Sequence, residues 1–135
     1  MNELKPGLKY EFKRVVENKH SASFLGTGGV QVLSTPTMIM WMEEAARILA
    51  DQYLGEGKTT VGIHVDVYHK APAPIGSIVH VEALLESIKG RKLVFRVKAY
   101  SGEVVIGEGI HERYIIDLDW FNNKVREVSE KVEKA

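Results

Sequence analysis

The feature that most restricts what this chain can fold into is a change of hydrophobic period part-way along it. Between residues 36 and 54 apolar side chains recur every three or four positions, and between 59 and 116 they recur every second. Met38, Met42, Ala45, Leu49 and Tyr53 make one stripe, flanked by Ile39, Ala46 and Ala50. That spacing predicts one amphipathic helix. Thr35 is its expected N-cap, Pro36 its first residue and Gly55 its stop. Val61, Ile63, Val65 and Val67 then alternate with Gly62, His64, Asp66 and Tyr68. The runs Val79 to Leu85, Leu93 to Ala99 and residues 103–116 repeat that pattern. Strands are expected at 9–16, 59–69, 77–88, 91–101 and 103–116. Lys89-Gly90 and Ser101-Gly102 are short enough for tight hairpins, so the strands they join are antiparallel neighbours.

An antiparallel sheet with one apolar face must cover it, and the long helix is the obvious cover. The expected class is therefore α+β. It is a hotdog arrangement, a curved antiparallel sheet of about five strands wrapped round one long central helix. A charged C-terminal helix is expected over 119–134, with Phe121, Val125, Val128 and Val132 on one side. A length of 135 residues fits a single domain, 1–135. Residues 1–8 read as an irregular lead-in, and 17–34 as a Gly-, Ser- and Thr-rich loop long enough to be functional. The sheet has open edges, and pairing them across a two-fold axis would protect them, as a homodimer or a dimer of dimers.

Composition narrows the partners. Lys plus Arg equals Asp plus Glu at 18 each, which argues against nucleic acid or an anionic membrane surface. The chain has no cysteine, so it has no disulfide, thiol nucleophile or Cys-ligated metal. That suits a cytoplasmic location. Residues 1–17 hold no long apolar run, so neither a signal peptide nor a membrane span is expected.

Three residues stand out as carriers of chemistry. Glu43 and Glu44 are adjacent, but a helical step of about 100° turns them apart. Glu44 falls on a mixed, solvated face. Glu43 falls beside the apolar stripe, where a carboxylate needs a partner or a task. It is either a rim carboxylate paired with Arg47 or a functional group. His69 continues the inward count of Val61, Ile63, Val65 and Val67, whereas His64 points away. It is either a core histidine satisfied by backbone or a proton-transfer group. Thr35 is either a helix cap or a ligand for a polar substrate. Thr35 and Glu43 lie eight residues apart, about 12 Å along an ideal helix. On one regular helix both could not touch one carbonyl, so the chain folds back at Thr35 or the two reach the reaction from different directions. His111-Glu112 lacks the helical two-histidine spacing of a zinc site, and no metal or other cofactor is expected.

Several segments together resemble the fluoroacetyl-CoA-specific thioesterase family of hotdog proteins. They are Met42-Glu43, residues 67–76 from Val67 to Gly76, Gly90-Arg91-Lys92-Leu93, Gly109-Ile110-His111-Glu112-Arg113 and Phe121 to Arg126. The resemblance implies a catalytic Thr, Glu and His at Thr35, Glu43 and His69, and substrate contacts at Gly62 and Arg113. It implies hydrolysis of an acyl-CoA to a carboxylic acid and free CoA. This chain departs from the family in 17–34, where Phe24 is the one aromatic residue, so selectivity for a fluorinated acyl group is not expected. Two alternatives are a non-catalytic CoA-ester binding module and an enoyl-CoA hydratase. The hydratase would pair Asp66 with His69, which strand alternation puts on opposite faces.

Overall fold

A computed structural model describes residues 3–135, so Met1 and Asn2 of the expected lead-in lie outside the described residues. The elements follow the two periods. They are β1 Lys9–Val15, α1 Ala22–Leu25, α2 Thr35–Asp51, β2 Lys58–His69, β3 Ile78–Lys89, β4 Lys92–Ser101, β5 Val104–Asp117 and α3 Leu118–Ser129. The strands form one antiparallel sheet in the order β1-β3-β4-β5-β2. β3, β4 and β5 are joined by the two hairpins, and β2 is left as an edge strand with one side of its ladder unpaired.

α2 lies on one face of the sheet. Met38, Met42, Ala45 and Leu49 are buried there against Val79, Val81, Ala83, Leu85, Leu93, Phe95 and Val97. Burying side chains of this size stabilises by about 1.5–3 kcal/mol each, so this seam fixes how the helix sits. Gly107 lets the start of the helix come close. A β-carbon there would lie 2.5 Å from Met38 Sδ.

Four local expectations are corrected. Ser34, not Thr35, caps α2: its Oγ accepts from the Thr37 amide at 3.1 Å, and Pro36 follows in the first turn. The helix ends at Asp51, three residues before its apolar pattern does, and Tyr53 is only half-buried. The segment 17–34 is not an open loop. It holds a single 3-10 turn at Asn18–His20 and the one-turn helix α1, capped by Ser21. Backbone bonds from Leu33 to Ala73 and from Ser34 to His20 pin its returning limb. The C-terminal helix is shorter than expected and buries none of its side chains.

The inward count on β2 also needs correction. Thr60 is buried and Ile63 is 51% exposed. A bulge between Gly62 and His64 shifts the register, so Gly62 lies opposite Arg113 and Val65 opposite His111. The bulge inserts one residue and reverses the alternation. Inward positions are therefore 60 and 62 before it and 65, 67 and 69 after it. His69 stays inward and His64 outward, as expected, but Val61 and Ile63 do not point in.

Candidate active site

The cap at Ser34 explains what Thr35 does. An N-cap hydroxyl is consumed by the backbone amides of the first turn. With Ser34 in that role, the Thr35 hydroxyl is released, and its Oγ1 lies 2.7 Å from Nδ1 of His69, at the end of β2. Burial pushes the His69 pKa below its ordinary value, with the Ala71 backbone pulling the other way. The ring is therefore neutral at neutral pH. Its other nitrogen, Nε2, is buried and has no hydrogen-bond partner. Orphaned buried polar atoms are uncommon in proteins and mark places where a further group is missing. Both residues line a cavity of about 400 Å³ whose other walls include Ala22, Val30, Val32, Leu33 and Ala71. Phe24 is turned out, 62% exposed, and is not part of that wall.

Glu43 sits two helical turns further on, in different surroundings. Its expected partner, Arg47, instead pairs with Asp51 at 3.0 Å. Glu44 pairs with Arg14 of β1 at 3.3 Å. The cation facing Glu43 is Arg113 of β5, whose Nη1 lies 3.7 Å from Glu43 Oε2. Arg113 is itself buried, 5% exposed. Its Nε donates to Thr60 Oγ1 at 2.7 Å and its Nη2 to the Thr60 carbonyl at 2.9 Å. Nη1 also donates to His111 Nε2 at 3.1 Å. Burial pulls the Arg113 pKa down and the Glu43 carboxylate opposes it. A guanidinium keeps its proton regardless, so a fixed positive charge stands behind the carboxylate.

Gly62 completes this half. A β-carbon there would lie 3.0 Å from Glu43 Oε2, 3.2 Å from His111 Cε1 and 3.4 Å from Arg113 Nη1. The backbone at 62 needs no unusual dihedral. Space, not backbone conformation, favours glycine here: a side chain would press on the carboxylate and on His111, whereas glycine lets a strand backbone approach the carboxylate, which suits an oxyanion or carbonyl seated between them.

The five residues singled out from sequence thus fall into two groups. Thr35 and His69 touch each other, and Glu43, Gly62 and Arg113 cluster together. Both groups are strung along one unbroken helix, so within one chain they remain apart. His111 and Thr60 were missed as supports of Arg113. Their signal was present: His111 and Arg113 are two apart on a strand and so share its face. Asp66 is paired opposite Ile110 and lies on the face away from His69, which leaves the hydratase reading without its pair.

The family described as fluoroacetyl-CoA-specific thioesterase matches residues 16–119. A fluoroacetyl-CoA thioesterase of Streptantibioticus cattleyicolor is 41% identical over 97 residues, 72% of this chain and 70% of that protein. A crystal structure of a mutant fluoroacetyl-CoA-specific thioesterase superposes with a TM-score of 0.86 at 33% identity, covering 94% of this chain and 98% of the other. A hypothetical protein of Thermus thermophilus, described as a thioesterase superfamily member, gives 0.88 at 30% identity over 97% of both chains. A hot-dog-like protein of Thermanaerovibrio acidaminovorans, 23% identical, has the same fold, with a TM-score of 0.84 over 90% of each chain.

Proposed function

The chain belongs to the family of fluoroacetyl-CoA-specific thioesterases, and from that premise we propose that it cleaves acyl-CoA at a site that two copies of the chain build together. The reaction is hydrolysis of the thioester to a carboxylic acid and free CoA. The observation that carries the shared site is the separation of the two groups. Thr35 and Glu43 lie on one regular helix, about 12 Å apart. Gly62, against Glu43, and His69 are seven residues apart on β2, roughly 20 Å.

A two-fold axis resolves the separation. β2 is an edge strand, and Ile63, Val65 and Tyr68 on it are 51%, 37% and 70% exposed. Pairing β2 with itself, antiparallel, about an axis near Val65 and Asp66 sets Gly62 opposite His69 of the partner subunit. The pairing also removes the exposed edge. Each of the two sites then takes Thr35 and His69 from one copy and Glu43, Gly62 and Arg113 from the other. The dimer works in the cytoplasm, the compartment that a cysteine-free chain suits.

In such a site the acyl group occupies the cavity beside Thr35, and the thioester carbonyl lies at the Gly62 backbone. Glu43, facing the buried Arg113 guanidinium, attacks the carbonyl carbon or activates a water to do so. The new carbon–oxygen bond replaces the carbon–sulfur bond, and where Glu43 itself attacks, the acyl–Glu43 anhydride so formed is then cleaved by water, which releases the carboxylic acid and frees Glu43. His69 Nε2 passes the proton taken from water to the departing thiolate, with Thr35 fixing the ring through Nδ1. The acyl cavity is walled mainly by Ala22, Val30, Val32, Leu33 and Ala71, with Thr27 and Lys70 also lining it and Phe24 turned away, so ordinary short and medium acyl groups fit it.

The test is complementation, read as free thiol released from acetyl-CoA. Glu43→Gln and His69→Ala homodimers should each be inactive. Mixed and re-equilibrated, they should recover about a quarter of the wild-type rate, because half the dimers are mixed and each holds one intact site. Two active-site variants that stay dead on mixing would mean that the site lies within one chain. In the same assay, kcat/KM for fluoroacetyl-CoA should exceed that for acetyl-CoA by less than about a thousandfold, or ~4 kcal/mol.

A further inference from the structure

We propose that His111, outside the Thr, Glu and His triad, is a positioning residue for hydrolysis: it holds the Nη1 end of Arg113 toward the Glu43 carboxylate. The proposal rests on Glu43 being the reacting carboxylate. His111 is 1% exposed, so both ring nitrogens need partners inside the protein. Nδ1 lies 2.8 Å from the His64 carbonyl and Nε2 lies 3.1 Å from Arg113 Nη1. A guanidinium only donates, so Nε2 accepts. The ring hydrogen therefore sits on Nδ1 and is donated to the His64 carbonyl. Only the neutral Nδ1–H tautomer satisfies both contacts.

The contact matters because of where it falls on the guanidinium. Thr60 binds Nε and Nη2, which fixes one side of the fork. Nη1 is the atom that faces Glu43, and His111 is its hydrogen-bond partner. Without that acceptor the planar guanidinium is held along its Nε–Nη2 edge alone and can pivot about it, which carries Nη1 away from the carboxylate. The bulge between Gly62 and His64 belongs to the same device, since it sets the position of the carbonyl that fixes the His111 tautomer.

Burial, not the surrounding charges, keeps the ring neutral, against the upward pull of the bond to the His64 carbonyl. Arg113 on its own strand opposes protonation, while Glu43 on α2 and Glu112 beside it favour it. The residues paired opposite His111 on β2 and β4, Val65 and Phe95, are uncharged. Burial is the largest effect and pushes the pKa down. Protonation would remove the acceptor and set a second cation against Arg113.

The experiment compares His111→Leu, which keeps apolar bulk, with His111→Gln, whose side-chain oxygen can accept from Arg113. Steady-state rates are read beside the Arg113 side-chain nitrogen signals in NMR. We expect His111→Leu to lower kcat by about 30- to 100-fold, the scale of a misplaced reacting group, with KM changed only a few-fold. The Arg113 Nη signals, distinct when the group is held, should average. His111→Gln should restore most of kcat and the distinct signals. Unchanged kcat in His111→Leu, or equal loss in the two variants, would overturn the proposal. So would a wild-type His111 found by NMR at pH 7 as the Nε2–H tautomer or as a cation, a reading that needs no variant to fold. Glu43→Gln assayed alongside separates the two claims: if that variant is active, the reading of Glu43 fails, and if it is dead while His111→Leu is normal, only the role of His111 fails.

Discussion

The two ends of the proposed site, carried by the same helix, are built in opposite ways. At the start of α2, Thr35 and His69 share a single hydrogen bond at the edge of an open cavity, and His69 Nε2 has no partner. Two turns later, the Glu43 carboxylate is 41% exposed, yet everything behind it is buried and cross-linked. The proton-handling end is left incomplete, so that substrate or water can finish it. The charged end is finished in advance, because an arginine withdrawn from water is tolerable only when its donors and its charge are all met. The proposed mechanism pairs an under-satisfied group with an over-determined one.

The contrast can be broken at either end. The largest effect should come from Glu43→Gln, which keeps shape and removes the charge: we expect hydrolysis to fall by about a thousandfold or more, with folding and substrate binding retained. Glu44→Gln breaks only the half-exposed pair with Arg14, a contact on the scale of about 0–1 kcal/mol, and should leave the rate alone. A dead Glu44→Gln enzyme would reverse the assignment of faces.

His69→Ala comes next, at roughly 100-fold. The wild-type rate should fall as pH drops, because His69 must be neutral to accept a proton. Burial lowers its pKa, so the midpoint of that acid limb should lie below the ordinary histidine value of 6.5. Loss of the limb in His69→Ala is the check, and an unchanged profile would reduce His69 to a packing role. Gly62→Ala is smaller and tests the charged end. The new methyl meets the mobile tip of Glu43 and the fixed ring of His111, so we expect kcat to drop about tenfold or more from misplacement, with little change in Tm. A variant with full activity would show that the close approach of Gly62 is not used.

The smallest pair sharpens the comparison at the helix start. Ser34→Ala should cost about 1 kcal/mol of stability through the lost cap and leave the chemistry in place. Thr35→Val should do the reverse, lowering the rate with a nearly unchanged Tm, since its hydroxyl serves His69 and not the helix. Melting curves and rates on both variants decide it. A Thr35→Val chain that melts like the lost-cap variant would put the cap back at Thr35.

Much of the fold was legible in the residues themselves. The switch from a three-to-four to a two-residue period placed α2 and all five strands within one or two residues at most of their ends. Periodicity reports which face an element buries, and burial dominates the energetics. The choice of Glu43 over Glu44 and of His69 over His64 followed from the same geometry. Gly62 and Arg113 entered only as substrate contacts implied by family resemblance, and their facing one another was not legible, because the apparent alternation of β2 had Gly62 pointing out.

What the sequence by itself determined is therefore the long helix, the five strands, their order and the faces on which Glu43 and His69 stand, since each depends on neighbours within a few positions. Tertiary structure alone decided three things. It gave the helix cap to Ser34 and so freed Thr35, a choice between adjacent hydroxyls that local propensity does not separate and that contact with His69, 34 residues away, does. It placed the bulge at Gly62 and His64, because a strand can carry an extra residue only where its partner and the helix packed on it leave room. It joined Thr60, His111 and Arg113 behind Glu43, because a buried guanidinium must find its acceptors wherever the folded sheet presents them.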